Sequence, residues 1–230
     1  MHNFFVILNN QTLHKNHLDY SPIIYVSDTK SIGDFNKITG SKVFIADGGI
    51  NFIQEDLLVS NQLYWVGDKD STTNYSLLDK IPASNISDLN TDKDYSDFGK
   101  VLDIIYSHKQ SCFIEVYNGL FGEKSHELSN IHDACFFVDN LFKHQNLSST
   151  VFFYPSIIIT NDSLRVDMPS GSSFSIIPTS SVSTDVKIEG AYYEGEFSLV
   201  RPSMGTRNIS TSKDLCISSI NHSSIMIVLD

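Results

Sequence analysis

The sequence predicts an α/β layer built on a doubly wound, mostly parallel, Rossmann-like sheet, followed by an all-β segment that reads as a β-sandwich. Three observations predict it. Over residues 1–145, short apolar runs alternate with longer stretches of helical periodicity. A polar stretch, His144-Gln145-Asn146-Leu147-Ser148-Ser149, then reads as a linker. Beyond it the helical period disappears, and short apolar runs are spaced by Ser, Gly, Pro and Asn. The expected domains are therefore 1–145, α/β, and 146–230, all-β.

Taken in order, residues 4–8, 23–26, 43–46, 63–66 and 112–117 read as strands. Several are continuous rather than alternating, as expected when both faces of a parallel sheet are covered. Helices are expected over 51–59, 94–108 and 126–143. The second of these places Phe98, Val101, Leu102, Ile105 and Tyr106 on one stripe. After the linker, strands are expected at 151–154, 157–160, 164–168, 174–177, 186–188, 192–199, 215–220 and 225–229.

Composition narrows the function classes. The chain has 230 residues, enough for a sizeable core, with 41% hydrophobic and 19% charged residues. A net charge of −11 with no basic stripe argues against a nucleic-acid partner. No apolar run approaches membrane-spanning length, and residues 4–8 are too short for a signal h-region. The three cysteines, Cys112, Cys135 and Cys216, are far apart and form no C-x-x-C, which favours a reducing, cytoplasmic setting.

Four stretches carry candidate chemistry. Ala46-Asp47-Gly48-Gly49-Ile50-Asn51 places paired glycines between a strand and a helix, where backbone N–H groups can face phosphate. Gly67-Asp68-Lys69-Asp70-Ser71 places two carboxylates at i and i+2 just past a buried strand, a good arrangement for a divalent cation. Asp92-Lys93-Asp94-Tyr95-Ser96-Asp97 opens the second helix with three aspartates around a lysine, more acid than a helix cap needs. Gly119-Leu120-Phe121-Gly122-Glu123-Lys124-Ser125-His126-Glu127-Leu128-Ser129-Asn130 puts His126 and Asn130 one turn apart after a Gly turn. It is neither a P-loop, because Glu123 precedes Lys124, nor a zincin helix, because Asn130 stands where a second His is needed. Taken singly, the first two also read as an ordinary tight turn and a capped turn.

In this order the four stretches resemble the thiamine pyrophosphokinase family, with its A-D-G-G-x-N, G-D-F-D-S, D-K-D-x-T-D and R-x-D-H-x-L-x-N motifs. The likeness extends to the β-rich tail, through Gly190-Ala191-Tyr192-Tyr193 and Gly205-Thr206-Arg207-Asn208. The resemblance implies a homodimer with sites between subunits. It implies Mg²⁺-dependent transfer of pyrophosphate from ATP to the thiamine hydroxyl, giving thiamine diphosphate and AMP. On that basis Asp68, Asp70, Asp92, Asp94 and Asp97 are the expected metal ligands. Asp68, Asp70, Lys93 and Asp97 are expected to carry catalysis. Asp47, Gly48, Gly49, Asn51, Ser71, Lys93, Lys124, His126 and Asn130 are expected to bind nucleotide, and Tyr192, Tyr193, Arg207 and Asn208 to bind thiamine or a related small alcohol.

The chain departs from the pattern at three places. Lys69 replaces the aromatic of G-D-F-D-S, Glu123-Lys124-Ser125 replaces the Arg and Asp before His126, and Arg207 replaces the Ser of G-x-S-N. Two alternatives follow: a pyrophosphokinase or nucleotide-processing enzyme with another acceptor, and a catalytically silent nucleotide-binding protein on the same scaffold.

Overall fold

The computed structural model describes residues 6–8, 11–14, 23–26, 42–53, 55–92, 94–117, 119–120, 123–179 and 183–230. The chain separates into two compact units, one of Ser21–Ala134 and one of Met1–Tyr20 with Cys135–Asp230. This differs from the division expected at 145 and 146. The described N-terminal strands, β1 (Val6–Leu8) and β2 (Gln11–His14), form an antiparallel hairpin whose second strand pairs with a strand of the C-terminal region. A short apolar run fits a strand of either sheet, and only the partner decides which.

In the unit of Ser21–Ala134, β3 (Ile23–Val26), β4 (Lys42–Ala46), a 3-10 turn (Asp47–Phe52), α1 (Asp56–Ser60) and β5 (Gln62–Gly67) come first. They are followed by α2 (Tyr75–Leu78), β6 (Ile86–Asp88), α3 (Asp97–Ser107) and β7 (Cys112–Tyr117). The strands are all parallel, in the order β7-β3-β4-β5-β6. Val43, Ile45, Leu63 and Trp65 form a buried cluster with Ile50, Ile53, Leu57, Leu77, Leu78 and Ile81. Phe44 and Val66, at the alternate strand positions, are buried too, so these strands are covered on both faces as their unbroken apolar runs require. Each such fully buried side chain contributes about 1.5–3 kcal/mol. The helix expected over 51–59 is instead the 3-10 turn followed by the short α1. Asn51 commits its side chain to a neighbouring loop, as described below. The expected 94–108 helix begins at Asp97 because Ser96 caps it, its Oγ accepting from Gly99 N at 2.9 Å.

The long helix α4 (Lys124–Gln145) contains the division between the units, which falls after Ala134. The strands β8 (Ser149–Phe153), β9 (Ile157–Thr160), β10 (Ser163–Asp167), β11 (Ser173–Pro178) and β12 (Thr184–Glu189) follow. Then come β13 (Gly195–Leu199), β14 (Asn208–Ile209), β15 (Asp214–Ser219) and β16 (Ile225–Leu229). They are antiparallel, in the orders β1-β2-β10-β15-β12-β13 and β14-β11-β16-β9-β8. Alternate residues of β11, β15 and β16 are buried, the period-2 signature of strands with one covered face. The strand expected over 192–199 begins only at Gly195. Gly190, at φ +83°, turns the chain so tightly that a Cβ there would lie 2.3 Å from the Asp214 carbonyl oxygen. Among the described residues, no helix is long and apolar enough to cross a membrane.

Candidate metal and nucleotide site

Open parallel sheets gather ligands outside the carboxyl ends of their strands. β4 and β5 are neighbours in register, Ala46 opposite Val66, so Asp47 and Gly67 emerge side by side at that end. The approach is closer than any side chain allows: a Cβ on Gly67 would lie 2.7 Å from Asp47 Cβ and 2.8 Å from its Cα. Asp47 is only 5% exposed and has φ +28°. Its Oδ1 accepts from Lys69 N (2.9 Å) and Thr72 Oγ1 (3.0 Å), and its Oδ2 accepts from Ser71 N (2.9 Å). Its backbone carbonyl accepts from Trp65 Nε1 at 3.1 Å. A buried carboxylate satisfied by three donors is a structural fastener, and this one pins the 67–72 loop to the end of β4.

The loop then carries its own carboxylates outward. Asp68 Oδ1 accepts from Asp70 N at 3.3 Å, a short-range turn of the kind aspartates favour. Ser71 Oγ donates to Asp70 Oδ1 at 2.7 Å. Asn51 ties down the far side: its Nδ2 donates to the Ser71 carbonyl at 2.9 Å, and its Oδ1 accepts from Thr73 N and Asn74 N at 2.8 and 2.9 Å. In consequence Asp47, Asp68 and Asp70 each offer a carboxylate oxygen, and these oxygens lie within 4.8 Å of one another. Three hard anionic oxygens, graded from buried Asp47 to exposed Asp70, are a donor set suited to Mg²⁺, Mn²⁺ or Ca²⁺ rather than to a thiophilic metal. The motif resemblance assigns Asp47 to the nucleotide rather than to the metal. Its membership of the carboxylate group depends on the β4–β5 register, which no local pattern announces.

Lys69, between the two outward carboxylates, adopts a left-handed backbone with φ +69°. Its ammonium forms an ion pair with Asp88 and lies 5.9 Å from the centre of the Trp65 ring. Asp88 ends β6 directly opposite Gly67. It belongs to no motif, and its three-residue strand is too short to show a period.

The remaining expected site residues are distributed as follows. Gly48 and Gly49 are buried in the 3-10 turn beside Asp47. Asp92 and Asp94 are exposed ahead of α3, and Asp97 is its first residue; among the described residues these three do not join the carboxylate group. Lys93 lies outside the described residues. Lys124 pairs with Glu127 one turn along α4, His126 is exposed, and Asn130 Nδ2 donates to the Gly119 carbonyl at 3.1 Å, holding the Gly turn. In the other unit, Asn208 is buried and exchanges two hydrogen bonds with the Tyr193 backbone, at 3.0 and 2.9 Å. Tyr192 and Tyr193 are exposed and meet edge to face, ring centres 5.1 Å apart. Arg207 is exposed at φ +59°, its N–H donating to Ser175 Oγ at 3.1 Å. A thiol nucleophile is disfavoured at Cys135, whose pKa burial pushes up to about 11.

No family model and no curated protein matches the chain. Solved structures do. The thiamine pyrophosphokinase of Bacillus subtilis aligns with a TM-score of 0.66 at 17% identity, covering 92% of this chain and 99% of that one. The thiamin pyrophosphokinase of Geobacillus thermodenitrificans aligns at 0.64 and 15%, covering 91% and 96%. A thiamin pyrophosphokinase family protein of Enterococcus faecalis aligns at 0.62 and 13%, covering 92% and 99%. At such identities the likeness is one of fold, and it spans nearly the whole of each chain: this protein has the fold of the thiamine pyrophosphokinases, the family that its loop motifs resemble.

Proposed function

We propose that the protein is a Mg²⁺-dependent pyrophosphokinase of the thiamine type, working as a cytoplasmic homodimer on a Rossmann-like layer and a β-sandwich. It would move the β,γ-pyrophosphoryl group of ATP to the hydroxyl of thiamine and release AMP. The observation that carries this reading is the meeting of Asp47, Asp68 and Asp70 at the carboxyl ends of adjacent parallel strands, in a chain with this fold. These three carboxylates would hold the cation, with Asp92, Asp94 and Asp97 as further acidic groups. Bound there, Mg²⁺ would screen the triphosphate and the charge that develops at the attacked phosphorus.

The chain's own residues supply positioning. Asp47 and Asn51 fix the loop from both sides, so Asp68 and Asp70 are presented without reorganisation. Gly48 and Gly49 keep side chains away from the phosphates. Ser71, Lys93, Lys124, His126 and Asn130 complete the nucleotide contacts, and one aspartate accepts the proton of the attacking hydroxyl. Tyr192, Tyr193, Arg207 and Asn208 receive the acceptor.

Incubation with ATP and Mg²⁺, with and without thiamine, tests this. The expected result is thiamine-dependent AMP release matched by thiamine diphosphate. AMP or phosphate release that ignores thiamine, or no turnover at all, overturns it. Asp70→Asn is expected to lower the rate by about a hundredfold or more, the scale of losing several kcal/mol of charge stabilisation.

A further inference from the structure

Lys69 is a departure from the family pattern, and the structure gives its side chain a specific place. The residue follows one member of the carboxylate group and precedes another. Its backbone N–H is bound to the third, Asp47 Oδ1, at 2.9 Å, so its Cα is fixed at the site. From there a flexible four-carbon stem with a compact ammonium can reach either neighbouring carboxylate. It is drawn elsewhere, into the ion pair with Asp88 and across the Trp65 ring. Both anchors stand on a fixed backbone. Trp65 is buried and donates to the Asp47 carbonyl at 3.1 Å. Asp88 is held in register by β6 pairing with β5 and by Leu89 N donating to the Gly67 carbonyl at 2.7 Å.

An ammonium seated among Asp47, Asp68 and Asp70 would neutralise part of their charge and repel a divalent cation. We infer that Asp88 is a positioning residue that holds the Lys69 ammonium out of the carboxylate group and thereby sets that group's affinity for a divalent cation. This rests on the reading of the three aspartates as a cation site. The ion pair is the reverse of a ligand: it keeps an internal competitor for the site in place.

The test is direct titration of Mn²⁺ into the full chain without nucleotide, following free Mn²⁺ by electron paramagnetic resonance. Melting curves establish that each variant is folded. Asp88→Asn is expected to bind Mn²⁺ about fivefold more weakly, the scale of an exposed ion pair. The double variant Asp88→Asn with Lys69→Gln is expected to return to about the affinity of the unaltered chain, since the released competitor is gone. Unchanged affinity in Asp88→Asn overturns the inference, as does a double variant as weak as the single one. Asp70→Asn separates the two levels. If the unaltered chain binds Mn²⁺ and Asp70→Asn does not, the cation site stands whatever Asp88 does. If the unaltered chain takes up no Mn²⁺, the cation reading fails and this inference falls with it.

Discussion

Asp47 shows what a single residue does here. Its carboxylate accepts three hydrogen bonds from a loop more than twenty residues away in sequence, and Gly67 makes room for it. Gly67→Ala is therefore expected to cost about 1–3 kcal/mol, because the clash is with Asp47 backbone as well as side chain and neither can swing aside. The shift of the urea midpoint measures it, and an unchanged midpoint would mean that β4 and β5 separate easily. At this scale the sequence was partly legible. Asp68 and Asp70 stand out because their i, i+2 spacing follows an apolar run. The fastening roles of Asp47 and Asn51, and the pairing of Asp88 with Lys69, come from strand neighbours and leave no trace in spacing.

Among the elements, α4 carries a charge, that of Asp133, which works against its own packing. Ser96, which caps α3, also donates from Oγ to Asp133 Oδ2 at 3.1 Å. Burial raises the pKa of Asp133 above the ordinary carboxylate value. Asp103 adds to the rise, while the Ser96 hydrogen bond and His132 oppose it. The folded state thus binds this proton more tightly than the unfolded state does. The contribution of Asp133 to stability is full below the ordinary carboxylate pKa, and it is lost as pH rises from there through the raised value. Asp133→Asn keeps an acceptor for Ser96 and removes the titration. Its stability relative to the unaltered chain is expected to climb across that window and then level off, read from urea midpoints over a pH series. A difference independent of pH would remove Asp133 from the account. Element identity was legible where apolar runs were long. β2, β6 and β14 have two to four residues each and carry no pattern that announces them. Such segments are held by their partners rather than by their own pattern.

Over the whole molecule, the fold class follows from one change of texture, the loss of helical periodicity after α4. Its partition does not, because residues 1–20 group with the C-terminal region. Binding offers a test at this scale. A ligand that binds only the folded chain stabilises it by about 2.7 kcal/mol at a hundred times its dissociation constant. Mg²⁺ with ATP is expected to raise the melting temperature of the unaltered chain and to leave that of Asp70→Asn in place. An equal rise in both would detach nucleotide binding from the carboxylate group.

The hairpin of β1 and β2 also imposes an order of events on the growing chain. β2 pairs with β10, about 150 residues later, and at roughly 5–20 residues per second that partner emerges on the order of ten seconds after it. During that interval β2 is an unsatisfied strand edge, open to any extended chain it meets. β2 is made well before the strand that secures it, so its open edge is a part of this sheet that needs protection while the chain grows.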